Sequence, residues 1–202
     1  MSKENLKERE IAERKQMILD AAKEIISLNG LEDVSIRKIA KKIGYSPAIV
    51  YHYFQSKEEI IGILMQEGYR KIVQGVSSVE NKNLEPVEKI RGSLANYIRI
   101  ALDNPEYYKY IMLNNSENIL KHTSVLFKGA SLEREAISKL CILLQSATNI
   151  SLQDVEIKAQ IIWTSTYGLI IRLIIESELP ISQKDELIEQ HLTLITKLIK
   201  NL

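Results

Sequence analysis

Between Ser35 and Lys57 the chain reads SIRKIAKKIGYSPAIVYHYFQSK. The stretch holds Arg37, Lys38, Lys41, Lys42 and Lys57 and no carboxylate. The rest of the chain compensates, because 27 Lys and Arg stand against 26 Asp and Glu over 202 residues, a net charge of +1. One cationic segment in a neutral chain suits a single face that meets a polyanion, where an acidic side chain would sit beside a phosphate. A helix meant for the major groove must be short, start abruptly and offer its N-terminal end to the bases. Ser46-Pro47 supplies the abrupt start, and Ala48 allows close approach. Val50 and Phe54, four residues apart, would anchor the helix inward and leave Ala48, Ile49, His52 and Tyr53 facing out. The same outline would also suit a solvated basic face, since two short helices and a glycine are common.

The elements that would position these residues read as helices throughout. Ile18, Leu19, Ala22, Ile25 and Ile26 make an apolar stripe on a first helix over Leu6–Leu28, which Asn29-Gly30 stops. Its early turns are so charged that fraying is expected. Ser35 caps a short second helix with Ile36, Ile39, Ala40 and Ile43 on one face. Gly44 ends it, and Ser46 caps the next, with Pro47 in its first turn, where a missing N–H costs nothing. Ser56-Lys57-Glu58-Glu59 is a capping box opening a long helix to about Val79. Residues 80–85, ENKNLE, are the candidate hinge. Further helices are expected over 86–102, from Pro105, over 131–147, over 152–178 and from Ser182-Gln-Lys-Asp185 to the end, with 115–130 ambiguous.

The segment RKQMILDAAKEIISLNGLEDVSIRKIAKKIGYSPAIVYHYFQSKEEII, residues 14–61, resembles the N-terminal domain of the tetracycline-repressor (TetR) family. The shared features are the apolar first helix ending in Asn-Gly and the Val-Ser-Ile-Arg-Lys-Ile-Ala opening of the second. They continue with Gly44-Tyr45-Ser46, then Val50-Tyr51-His52-Tyr53-Phe54, then Ser56-Lys57-Glu58. The resemblance covers about a quarter of the chain. It implies an all-α protein with a three-helix helix-turn-helix DNA-binding domain, residues 1–57, and a helical ligand-binding and dimerisation domain, residues 58–202. It also implies DNA-facing roles. Ser35 would cap its helix and bond a phosphate, and Arg37 would reach bases or phosphate. Ser46, Pro47, Ala48 and Ile49 would open the recognition helix, the last three against base edges. Tyr51 and Lys57 would bond phosphate, and His52 would lie outward. Many members carry a polar residue at position 47 and Gly or Thr at 48 and 49. With Pro-Ala-Ile there is no bidentate donor, so base reading should lean on apolar contacts, Arg37, His52 and DNA shape.

In the second part, NPEYYKYIM and IIWTSTYGLII resemble a common variety of the family's regulatory domain. Independently, the helix over 152–178 is apolar nearly all round from Ile161 to Ile175, which one-sided packing cannot bury. With the last helix, 183–201, it suits a homodimer built as a four-helix bundle, and twofold symmetry would pair two recognition helices on a palindromic duplex operator. Tyr97, Tyr107, Trp163 and Tyr167 are candidates to line a small-molecule site, although taken singly each reads more readily as a core or surface aromatic. Arg172 is expected to pair with a carboxylate such as Glu176.

The remaining singletons suggest no further chemistry. Cys141 lies in an apolar face, and as the one cysteine it excludes an intramolecular disulfide. His52, His122 and His191 lack metal-ligand spacing. There is no glycine-rich phosphate loop, and nothing gathers a catalytic triad, so neither cofactor, metal nor enzymatic activity is expected. The charged start excludes a signal peptide, and the longest apolar run, 161–175, is too short to span a bilayer and contains Arg172. A cytoplasmic, ligand-responsive regulator is expected, more readily a repressor than an activator. Two alternatives stand beside it: a DNA-binding protein controlled by a protein partner, and a helical enzyme or carrier.

Overall fold

The computed structural model of the chain describes residues 3–79, 83–113 and 117–201. Among them every regular element is a helix. The order is α1 Lys3–Asn29, a 3-10 turn Leu31–Asp33, α2 Ile36–Lys42, α3 Pro47–Tyr53, α4 Lys57–Ser77, α5 Pro86–Asp103 and α6 Pro105–Leu113. α7 Glu117–Thr123, α8 Ala130–Glu133, α9 Glu135–Ala147, α10 Leu152–Ile175 and α11 Ile181–Lys200 follow.

Serine side chains cap the starts of α2, α4 and α10. The Ser35 hydroxyl accepts the Lys38 N–H at 3.2 Å, and the Ser56 hydroxyl accepts that of Glu59 at 3.2 Å. The Glu59 carboxylate then reaches back to the Gln55 N–H at 2.6 Å, which completes the start of α4. α2 closes where Gly44 turns to φ 73° and the Tyr45 N–H returns to the Ala40 carbonyl at 2.9 Å.

Four boundaries differ from the sequence expectation. α1 is helical from Lys3, its exposed charges offset by pairs one turn apart such as Arg9–Glu13 at 2.9 Å. α9 starts at Glu135 rather than Ser131, because Glu156 holds the Ser131 N–H and hydroxyl in the preceding turn. α10 ends at Ile175, not 178, and α11 opens at Ile181. The Pro180 carbonyl, not the Ser182 side chain, accepts the first helical N–H groups there, those of Gln183 and Lys184, each at 3.0 Å. The expected hinge falls partly on residues 80–82, outside the described residues.

The buried side chains form two clusters joined by α4. The first gathers the α1 stripe of Ile18, Leu19, Ala22, Ile25 and Ile26 with Ile39, Val50, Phe54, Ile60, Leu64 and Met65. The second gathers Ile72, Val73 and Val76 of α4 with the inner faces of α5, α9 and α10. α4 therefore contributes its first three turns to one cluster and its last two to the other. Its glycines let neighbouring helices come close. A Cβ at Gly68 would stand 2.5 Å from the Tyr107 ring and from Ile111, so α6 packs directly on the α4 backbone.

Candidate nucleic-acid interface

Helix α3 has a buried side and an open side. Val50 is fully buried and Phe54, just after the helix, is 2% exposed, so two apolar anchors fix the helix against α1, α2 and α4. Each is worth about 1.5–3 kcal/mol of burial, enough to hold a seven-residue helix that would not form alone. Pro47, Ala48, Tyr51 and His52 are exposed. Ile49 is half-buried. Tyr53, expected to face out, instead packs on the first cluster, and its ring stands edge-on to His52 at 5.0 Å. Three residues after Val50, Tyr53 lies on the neighbouring side of the same helical face, at the edge of the buried side, which explains the difference. Ser46 occupies the N-cap position and its carbonyl accepts the Ile49 N–H at 3.0 Å, but its hydroxyl makes no capping bond.

The five cations of the stretch are not equivalent. Lys38 pairs with Asp33, and Lys42 with Glu24 at 2.5 Å. Both acids lie outside the acid-free segment, and Glu24 stands eighteen positions from its lysine, where sequence proximity does not reveal it. The Lys38 ammonium, and to a smaller degree the Asn29 amide, hold the Asp33 carboxyl below its ordinary range. Arg37, Lys41 and Lys57 have no ion-pair partner among the described residues. Arg37 and Lys41 are exposed on α2, and Lys57 is the first residue of α4. A cation at a helix N-terminus opposes the macrodipole and costs about 0.3–1 kcal/mol, so stability does not account for Lys57. Lys41 is an uncommitted cation that the sequence reading left among the solvated side chains.

The four aromatic candidates separate. Tyr97 is fully buried, stacked on Trp163 at 4.3 Å with 17° between the rings, and its hydroxyl lies 2.6 Å from that of Tyr108. Burial pushes the phenols of Tyr97 and Tyr108 well above their usual range. Trp163 and Tyr167 share the wall of a cavity of about 270 Å3 with Met112, Leu120 and the 124–126 segment. Tyr107 lies elsewhere, against Gly68 in the first cluster. Arg172 pairs with Glu176, as expected. Cys141 is buried, and burial raises its thiol pKa to about 11. The His122 side chain is outside the described residues, and among those described no group of three His, Cys, Asp or Glu converges as a metal site. Nor is any helix among them long and apolar enough to cross a membrane.

Residues 18–62, which hold α2, α3 and both turns around them, match the family described as bacterial regulatory proteins, tetR family. The likeness to that family is thus shown for the helix-turn-helix segment. Among similar proteins, the HTH-type transcriptional regulator BetI of Brucella anthropi is 32% identical over 82 residues, 41% of this chain and 42% of that protein. The HTH-type transcriptional regulator UidR of Escherichia coli K12 is 39% identical over 64 residues, 31% of this chain and 33% of that protein. The matched part thus spans only about two fifths or less of these relatives' length. Both bear the name of HTH-type transcriptional regulators. The fold similarity extends further. A TetR/AcrR family transcriptional regulator from Thermobifida fusca superposes with a TM-score of 0.69 at 21% identity, over 91% of this chain and 97% of that one. The putative regulatory protein SCO4313 superposes with a TM-score of 0.72 at 18% identity, over 93% and 97%. At such identities the likeness is one of fold alone.

Proposed function

We propose that the protein is a homodimeric, sequence-specific DNA-binding transcription regulator, a repressor that leaves a palindromic operator when a small molecule binds. The observation that carries the reading is the α2–α3 surface. It offers a short helix with its N-terminal side chains exposed, beside three cations that no carboxylate among the described residues neutralises. In this reading residues 1–57 form the DNA-binding unit and residues 58–202 the regulatory unit. Ser35, Ser46, Tyr51 and Lys57 hold phosphates. Pro47, Ala48, Ile49 and His52 face the bases, with Arg37 reaching either.

The dimer reading is supported by unpartnered apolar stripes. Ile157 and Ile161 on α10 are 57% and 59% exposed, and continue through Ser165 to Gly168 on the same face. On α11, Leu187, Leu194 and Leu198 recur at helical spacing and are exposed. Two such helices from each of two copies bury these stripes in a bundle. Control by a ligand is supported by a cavity of about 330 Å3 between α4 and α7, lined by Gly62, Met65, Tyr69 and Ile119. Met65 also belongs to the first cluster, so a molecule pressing on this side of α4 would act on the core beneath α3. The ligand need only prefer one of two α4 positions by a few kcal/mol to change operator occupancy by orders of magnitude.

Selection of bound duplexes from a random pool, with purified protein at two salt concentrations, tests the reading. A palindromic consensus that survives the higher salt is expected. Sequence-blind binding that vanishes with salt would remove the operator and leave only a basic face.

A further inference from the structure

The cavity beside Trp163 carries a statement about what would occupy it. Its described walls hold no Lys, Arg, Asp, Glu or His; the polar side chains are the hydroxyls of Thr123, Ser124, Thr164 and Tyr167. An ion seated against these walls would exchange part of its water for apolar contact and gain no counter-charge from the described residues that line them, which is unfavourable for a charge. The apolar walls extend to the surface, where Leu120 and Leu126 stay largely exposed. At about 270 Å3 the cavity lies just below the range of about 300–1,000 Å3 common for drug-sized ligands, so the occupant is small.

Of the wall hydroxyls, that of Thr123 already donates to the Ile119 carbonyl at 3.1 Å, whereas that of Tyr167 is held weakly. The Tyr167 hydroxyl reaches the Met112 carbonyl only at 3.4 Å, the long limit for a hydrogen bond, so its proton is open to a better acceptor. Behind Trp163, the Tyr97 and Tyr108 hydroxyls share one hydrogen bond, which uses one of their two phenolic protons. The other has no acceptor among the described residues, although both rings are buried. The stack of Trp163 on Tyr97 holds the indole in place from behind.

We propose that this cavity binds an uncharged, flat organic molecule bearing one carbonyl or ether oxygen. The oxygen accepts the Tyr167 proton and the apolar body packs at Trp163. This cavity adjoins the one between α4 and α7, with which it shares Thr123, and the assignment rests on the ligand-release reading only for the consequence of binding, not for binding itself.

Trp163 is the one tryptophan in the chain, so its fluorescence reports this cavity together with the Tyr97 stack behind it. Four probes of similar size separate the chemistry: ethyl benzoate, butylbenzene, benzoate and phenyltrimethylammonium. Ethyl benzoate is expected to shift Trp163 emission and bind at least about tenfold more tightly than either ion. Tyr167→Phe is expected to weaken ethyl benzoate by about fivefold, the worth of one hydrogen bond, and to leave butylbenzene unchanged. Equal or tighter binding of either ion overturns the proposal. So does silence of Trp163 toward both neutral probes up to their solubility. A Tyr167→Phe loss as large for butylbenzene as for the ester overturns the hydroxyl's role, because only packing would then have changed. A parallel titration of the DNA complex separates the two readings. Binding at Trp163 without DNA release keeps the site and sinks the ligand-release reading. Release by another molecule that leaves Trp163 unchanged does the opposite.

Discussion

Lys57→Ala separates a phosphate contact from a structural lysine. Lys57 has no ion-pair partner among the described residues and begins α4, where its charge opposes the helix dipole. Folding stability should therefore stay level or rise slightly on its removal. DNA binding should respond differently. In a dimer the change removes two phosphate contacts, and each contributes about 0.9 to the slope of log affinity against log salt. The slope should flatten by about 1.8, so the penalty seen at 50 mM salt shrinks about twelvefold by 200 mM. Fluorescence anisotropy of a labelled duplex, titrated across that range, measures both lines. Lys42→Ala is the comparison, since Lys42 is already committed to Glu24 at 2.5 Å, and it should flatten the slope by less than half as much. Parallel lines for wild type and Lys57→Ala, or an equal flattening in Lys42→Ala, would refute the assignment of the uncommitted cations to phosphate.

Other expectations concern the scaffold. Gly62→Ala meets open space and should stabilise α4 by about 1 kcal/mol. Gly68→Ala must displace the Tyr107 ring and should destabilise by about 1–3 kcal/mol less that same helix gain, both read from urea midpoints at constant m. His191, hydrogen-bonded to Thr166 at 2.9 Å, has its pKa lowered by burial. The folded protein therefore resists its protonation, and stability should fall as pH drops below about 6.5 toward the lower folded value. His191→Gln should blunt that dependence. The Cys141 thiol, raised to about 11, should react with an aromatic disulfide reagent far more slowly in the folded protein than after denaturation at pH 7.5.

The helix-turn-helix was legible because its signals are local. Ser35 and Ser56 cap within three residues, Gly44 closes its own turn, and the α1 stripe repeats at helical spacing. What escaped depends on distant partners. Glu24 reaches Lys42 across eighteen positions, and Glu156 fixes Ser131 from twenty-five residues away, moving the start of α9. Tyr53 shows the limit of a face argument on a seven-residue helix, where a boundary side chain follows whatever space the core leaves. The aromatic candidates illustrate the same point. Composition marked Tyr97, Tyr107, Trp163 and Tyr167 alike, yet one is fully buried, one belongs to the other cluster, and two share a cavity.

The measurement closest to the central claim is a comparison of selected sequences for wild type and Ile49→Ala from one random duplex pool. If the start of α3 reads bases, the variant should keep the palindrome and its salt slope but lose preference at one symmetric pair of positions. An unchanged consensus, or a uniform loss of affinity at every position, would contradict the assignment of α3 as the reading helix.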